Sequence, residues 1–187
     1  MKYQEILNKG SQILRLKNIR SANLDSELIL SKVLDKTREE ILINLNNKIN
    51  IYQKKEFDYY LNKRKNKKPI SYILGSKFFW KYKFFVNQSV LIPRPESEII
   101  VEQALKYMPY YKSMKILDIG TGSGCLVVSL LKDRCSSTAT AIDISKEALK
   151  VAKINAKLHH LENKIKFFNI DIDKFTSNKY DLIISNP

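Results

Sequence analysis

The segment ILDIGTGSG, residues 116–124, most restricts what this chain can become. It sets Gly120, Gly122 and Gly124 between an apolar run and a helix-like stretch, in a chain with only five glycines. Closely spaced glycines let a backbone turn sharply and approach a ligand with no Cβ in the way. A ligand loop between strand and helix belongs to an α/β sheet, and the flanking pattern agrees. From Met114 the chain reads strand (KILDIG), helix (GCLVVSLLKD), strand (TATAID) and helix (SKEALKVAKINAKL, with Ala148, Val151, Ala152 and Asn155 in register), then two strands, KIKFFN and YDLIIS. This alternation predicts right-handed crossovers and a parallel sheet covered on both faces.

Residues 1 to about 75 follow a helical pattern. Ile6, Leu7, Gly10, Ile13 and Leu14 recur at helical spacing, and LDSELILSKVL places Leu24, Leu28, Ile29 and Leu34 on one apolar stripe. A third helix from about Tyr52 to Lys65 carries Phe57, Tyr60 and Leu61. The polar joints IRSAN and NLNNKIN separate these helices as in a small bundle, and Pro69 is expected to end the last long one. Residues 76–92, SKFFWKYKFFVNQSVLI, are aromatic and β-branched with polar interruptions, which predicts a hairpin. PRPESEIIVEQALKYM then opens a helix, with Pro95 near its first turn and Glu96 and Glu98 at its positive end. The expected division is a helical domain over 1–75, a hairpin linker over 76–92 and the α/β part over 93–187.

Composition narrows the class. With 44% apolar and 10% aromatic residues the chain can build a packed core. No apolar run reaches the roughly 18–20 residues that span a bilayer, and MKYQEILNKG lacks the apolar stretch of a secretory signal, so a cytoplasmic protein is expected. Cys125 and Cys135 fit no metal spacing and are expected to be plain thiols. The net charge of +14 attracts an acidic partner or nucleic acid at long range, although heavy use of Lys, Asn and Ile can also follow from codon bias. The densest cluster, KRKNKK at Lys63–Lys68, reads either as solvated cations complementing a helix end or as a nucleic-acid or ribosome contact.

The loop also speaks to its ligand. Its spacing is G-x-G-x-G where a dinucleotide fold prefers G-x-G-x-x-G, and Asp118 lies two residues before the first glycine. An acid there suits a ligand carrying an ammonium and repels a phosphate; S-adenosyl-L-methionine is such a ligand. Asp143, about 20 residues past the loop, can take both hydroxyls of a ribose, which serves NAD equally. Asp171 follows the third strand, where it either holds an adenine amino group or is a solvated loop carboxylate. Ligands bind outside the carboxyl ends of such a sheet, so Gly120, Asp143, Asp171 and Asn186 should converge there. Alone, the dipeptide Asn186-Pro187 is a turn. After an apolar strand, its side-chain amide and the Pro187 carbonyl can grip an NH2 group through both hydrogens and aim its nitrogen at an electrophilic methyl, with no metal required.

DIGTGSG, AID and SNP resemble the class I S-adenosylmethionine-dependent methyltransferases with an N-P-P-Y signature. LDSELILSKVL, KKPISYILGSKFFW and VLIPRPESE are similar to the release-factor glutamine methyltransferases, the HemK or PrmC family. The resemblance covers nearly the whole chain, and PISYILG and LIPRPESE discriminate better than the glycine loop. It implies an α/β fold: a Rossmann-like class I methyltransferase sheet, incomplete at its C-terminal end, preceded by a small substrate-docking helical bundle and a β-hairpin linker. It further implies transfer of a methyl to the side-chain amide of the glutamine in the Gly-Gly-Gln motif of class 1 peptide-chain release factors; a monomer is expected. By position, Asp118, Gly120, Thr121, Gly122, Ser123, Gly124, Asp143, Asp171, Ile172 and Asn186 would bind the cofactor. Asn186 and Pro187 would be catalytic and hold the substrate glutamine, while Ile172 stands where some members carry an aromatic residue.

The last residues, DLIISNP, stop partway through N-P-P-Y. The reading is therefore of a weakly active or inactive fragment whose fourth strand is an exposed apolar edge. Two other readings stay open. An adenine amino-methyltransferase acting on DNA or RNA uses a similar grip and suits the charge; a non-catalytic module would dock a release factor through the helical half alone.

Overall fold

The computed structural model describes residues 1–176 and 179–186; the expectation placed on Pro187 lies outside the described residues. The chain divides into two compact units, Met1–Leu74 and Gly75–Pro187. Among the described residues, no helix is long and apolar enough to cross a membrane.

The first unit holds α1 (Tyr3–Arg15), α2 (Ala22–Leu34), α3 (Arg38–Ile43), α4 (Ile51–Lys65) and α5 (Ile70–Leu74), two helices more than the spacing predicts. Helix α3 has only six residues, too few for a periodic signal, and is started by a capping box. The Thr37 hydroxyl accepts from Glu40 N–H at 3.2 Å, and the Glu40 carboxylate accepts from Thr37 N–H at 2.7 Å. Ile6, Leu14, Ile29, Leu30, Ile41 and Phe57 are the centre of the core.

Ile13 and Leu24, placed on the apolar stripes by spacing, are 38% and 44% exposed, while Asp25 and Ser26 are buried. The polar pair enters because both find partners, which removes the penalty of burial. Ser26 Oγ donates to the Leu7 carbonyl at 3.2 Å. Asp25 Oδ2 accepts from Arg64 Nε at 2.6 Å and from Ser21 Oγ at 2.8 Å. Gly10 lies under this contact, since a Cβ there would sit 2.5 Å from Ser26 Oγ.

Pro69 does not end α4. The helix stops at Lys65, with Lys67 at φ +65°, and the Pro69 carbonyl instead accepts from Tyr72 and Ile73 N–H to start α5. Part of the KRKNKK cluster is engaged within the unit: Arg64 holds Asp25 and the Lys68 carbonyl, Lys63 lies 4.0 Å over the Tyr59 ring, and Lys67 donates to the Lys17 carbonyl.

The second unit opens with an antiparallel hairpin, β1 (Ser76–Phe79) and β2 (Tyr82–Phe85), followed by a 3-10 turn, Pro95–Ser97, and α6 (Glu98–Tyr107). Then come β3 (Lys115–Ile119), α7 (Cys125–Asp133), β4 (Thr138–Asp143), α8 (Lys146–Leu158), β5 (Ile165–Asn169) and β6 (Leu182–Ser185). The four strands form a parallel sheet in the order β5-β4-β3-β6, so β6 lies at an edge. The Asp133 carboxylate at the end of α7 ties down the hairpin, accepting from Trp80 Nε1 at 3.0 Å, Lys81 Nζ at 2.8 Å and the Tyr82 hydroxyl at 2.7 Å.

Register puts Ile116, Ala139, Ile165 and Leu182 in one row and Asp118, Ala141, Phe167 and Ile184 in the next on the same face. That face packs on α6, α7 and α8 through Val101, Met108, Val127, Val128, Leu131 and Ala156. The expected helical cover is found on one face only among the described residues, although Leu117 and Ile142 in the central strands of the other face are buried. Among the described residues no helix lies on the other face, where Phe168 is 45% and Ile183 59% exposed. The cause is topological. A right-handed connection from β5 back across β3 to β6 runs on the opposite side from α7 and α8, and among its described residues the one helical segment is a three-residue 3-10 turn, Ile172–Lys174.

Candidate cofactor and amide site

Strand β3 has β4 on one side and β6 on the other, and the chain reaches them by connections on opposite faces. This is the switch point at which an open parallel sheet leaves a crevice beyond its carboxyl ends. The glycine loop leaves β3 there, with Gly120 and Thr121 N–H donating to the Ile142 carbonyl at 2.9 and 3.0 Å. Gly120, Gly122 and Gly124 all have positive φ, +68°, +55° and +77°. A Cβ on Gly120 would meet nothing within 4 Å, which leaves that side of the loop open to a ligand. On Gly124 it would lie 3.3 Å from the Ala152 Cβ, so the close approach of loop to α8 requires glycine.

Asp118 lies beneath this loop and is 1% exposed. Its Oδ2 accepts from the Thr121 hydroxyl at 2.6 Å, while its buried Oδ1 has no hydrogen-bond partner among the described residues. Burial, opposed by the Thr121 hydrogen bond, reinforced by the Asp143 carboxylate and opposed again by the nearby Val127 backbone N–H, pushes its pKa up to about 7. A buried, half-partnered carboxylate is costly, and a ligand ammonium would relieve that cost. Asp143 ties the loop to the start of α8: Oδ2 accepts from Gly122 N–H at 2.9 Å and Oδ1 from Ser145 N–H at 2.8 Å. Each oxygen keeps a second lone pair for a hydroxyl donor. An open glycine turn, an unsatisfied acid below it and a second acid at the end of β4 fit S-adenosyl-L-methionine.

At the end of β5, Asn169 Nδ2 donates to the Asp143 and Ile144 carbonyls, both at 2.9 Å, and Ile170 N–H donates to the Asp143 carbonyl at 3.2 Å. Asp171 follows at the same sheet edge, where its exposed carboxylate accepts from Asp173 N–H at 3.1 Å and caps the 3-10 turn that includes the 44% exposed Ile172. At the other side of the sheet, Ser185 Oγ donates to the Ile119 carbonyl at 3.0 Å, which sets the exit of β6 against β3. Asn186 then donates from Nδ2 to Ser97 Oγ at 2.7 Å. Leu91, Arg94, Glu96, Ser97, Ile100 and Asn186 line a hollow of about 390 Å³. Asp171 and Asn186 thus follow strands three spacings apart, about 14 Å at the usual inter-strand distance.

Two residues of this arrangement have contacts that the sequence pattern does not show, although Asn155 falls in helical register. Asn155 shares the buried face of α8 with alanines and valine, yet it is a connector: Nδ2 donates to the Ser123 carbonyl at 2.8 Å and to the Phe85 carbonyl at 2.9 Å, and Oδ1 accepts from Phe85 N–H at 2.7 Å. It joins the glycine loop to the end of the hairpin. Ser97, buried within PRPESE, is the partner of Asn186. An amide among small apolar residues is the one hint the sequence offers for the first; nothing in the spacing marks the second.

Comparison with known proteins bears on both halves. A family profile described as PrmC N-terminal domain matches residues 5–75, and one described as methyltransferase domain matches 111–187. The release factor glutamine methyltransferase of Buchnera aphidicola subsp. Baizongia pistaciae is 38% identical over 187 residues, covering all of this chain and 67% of that protein. The protein of the same name from Coxiella burnetii is 38% identical over 168 residues, 90% of this chain and 61% of its own length. The chain therefore spans 61–67% of the length of these two relatives. Among solved structures, a SAM-dependent methyltransferase from Geobacter sulfurreducens in complex with S-adenosyl-L-homocysteine overlaps 49% of this chain and 36% of its own, at 25% identity and a TM-score of 0.42. With identity sustained from end to end of the chain, it belongs to the release factor glutamine methyltransferase family.

Proposed function

We propose that this chain carries the cofactor site and the amide grip of an enzyme that methylates the side-chain amide nitrogen of glutamine in the Gly-Gly-Gln motif of class 1 release factors, with S-adenosyl-L-methionine as donor. The observation that carries the reading is Asn186, anchored at the end of β6 beside a hollow and on the same sheet edge as the glycine loop. The names of the relatives support the substrate class.

In this reading Asp118 meets the cofactor ammonium, residues Gly120 to Gly124 carry its backbone approach, and Asp143 takes the ribose hydroxyls. Asp171 holds the adenine amino group, with Ile172 against the ring. When bound, the donor would supply a methyl from its sulfonium and be left as a thioether as the sulfur–methyl bond breaks, while the amide nitrogen would give one proton to solvent. A glutamine amide is a weak nucleophile because its lone pair is delocalised. Asn186 Oδ1 and the carbonyl of Pro187 accept its two N–H groups, favouring the geometry in which the lone pair is free and aligned for in-line transfer. Residues 1–75 form the part that docks the release factor, 76–92 the link and 93–187 the catalytic part.

The test is transfer of a labelled methyl to a purified release factor and to its Gln→Ala variant, using the full-length protein. Label on the glutamine form alone is expected. Equal label on both forms, or none with cofactor bound, overturns the reading, and label on adenine in nucleic acid would replace it. Within the protein, Asp143→Ala should weaken cofactor binding by roughly 1–3 kcal/mol, whereas Asn186→Ala should lower turnover far more than cofactor affinity. Matching losses of affinity and turnover in Asn186→Ala would remove its assigned role.

A further inference from the structure

We infer that Ser97 is a positioning residue that holds the Asn186 side-chain amide in place before the substrate arrives; the inference rests on the amide-methylation reading. An asparagine side chain has an acceptor end and a donor end, which a half-turn about its last bond exchanges. Gripping an NH2 group needs the acceptor. A donor turned toward it would face hydrogens with hydrogens, and an unrestrained amide would spend part of its time in that state.

Asn186 Nδ2 donates to Ser97 Oγ at 2.7 Å, which restrains the amide in an orientation that leaves Oδ1 for the substrate. Ser97 is itself well held. It is 8% exposed and closes the 3-10 turn Pro95–Ser97, with its N–H on the Arg94 carbonyl at 3.0 Å. Pro95 fixes the first φ of that turn. The next residue, Glu98, accepts from Trp80 N–H at 2.8 Å, and the helix it opens is seated by the fully buried Val101. On the other side, Ser185 holds the end of β6 to the Ile119 carbonyl at 3.0 Å. Two fixed backbones thus bring a hydroxyl and an amide together from positions 89 residues apart. Because an oriented group contributes most when its orientation is set before the substrate arrives, Ser97 acts on turnover and leaves binding of either substrate nearly untouched.

The experiment compares Ser97→Ala, Ser97→Thr, Asn186→Ala and the double variant Ser97→Ala/Asn186→Ala in the full-length protein, reading kcat, KM for the release factor and cofactor affinity. Ser97→Ala should lower kcat about tenfold, the size of one lost hydrogen bond, with KM and cofactor affinity within about twofold of the parent. Ser97→Thr, which keeps the hydroxyl, should restore most of the rate. The double variant should be no slower than Asn186→Ala, because Ser97 works through Asn186. Parental kcat in Ser97→Ala, or losses that multiply in the double variant, would overturn the assignment of Ser97 while leaving the role of Asn186 standing. Parental kcat in Asn186→Ala would remove the amide reading and this inference with it. A second measurement does not depend on activity: the nitrogen-15 spectrum of the Asn186 side-chain NH2. One of its two protons should be shifted and slow to exchange, lose both properties in Ser97→Ala and regain them in Ser97→Thr. Identical side-chain resonances in parent and Ser97→Ala would overturn the inference outright.

Discussion

Asp118 shares one carboxylate oxygen with Thr121 and leaves the other without a partner among the described residues, and its pKa rises from 3.8 to about 7, chiefly through burial. Between those two values the folded chain keeps a proton that the unfolded chain has released. Stability of the second unit from this group therefore falls as pH climbs from about 4 to about 7 and levels off above. A ligand ammonium favours the ionised form, so binding below about pH 7 should release a proton. Affinity for S-adenosyl-L-methionine should rise toward about pH 7 and then flatten, and calorimetry in two buffers of different ionisation heat should register the released proton. Asp118→Asn should abolish that dependence, and an affinity that is flat through this range in the parent would refute it. Asp118 and the glycines were legible in the sequence because the acid and the loop lie within seven residues of one another. The contacts of Ser97 with Asn186 and of Asn155 with Phe85 were not, because these partners lie 89 and 70 residues away.

At the scale of elements, the strands and long helices follow the hydropathy pattern, and the departures have local causes. Helices α3 and α5 are too short to show a period and depend on the Thr37 capping box and the Pro69 turn. Leu24 yields its place in the core to Asp25 because Arg64, from another helix, neutralises the buried acid. Helix α8 shows the same principle with a neutral group. Asn155→Ala would strand Phe85 N–H and two carbonyls around a fully buried position. It should destabilise the second unit by about 3 kcal/mol in urea unfolding and weaken cofactor binding by freeing Ser123. Trp80, the single tryptophan, lies in that unit and can report its unfolding by fluorescence. A loss under about 0.5 kcal/mol would mean that these bonds are replaceable.

At the scale of the whole molecule, each unit encloses its own apolar cluster. Residues 1–74 carry sixteen Lys and Arg against eight Asp and Glu, so the helical unit is itself strongly basic. Expressed alone, residues 1–74 should remain helical and melt cooperatively by circular dichroism. Arg64→Ala should abolish that melt, since an unpaired buried Asp25 costs about 3–5 kcal/mol, comparable to the whole margin of so small a domain. A gradual melt in the unsubstituted fragment would show that the unit depends on the rest of the chain.

The sequence by itself determined what is local in the chain. A triplet of glycines after an apolar strand imposes a ligand turn, an acid beside it selects a cation, and alternating strand and helix periods impose a parallel sheet. These follow from the backbone's allowed angles and from hydropathy within a few residues. Only the tertiary structure decided that the helices of the described residues lie on one face of the sheet, that Asn155 bridges loop and hairpin, that Asp25 belongs in the core and that Ser97 meets Asn186. A hydrogen bond between distant positions leaves no period and no composition shift in either segment. It exists only once packing has brought the two backbones together.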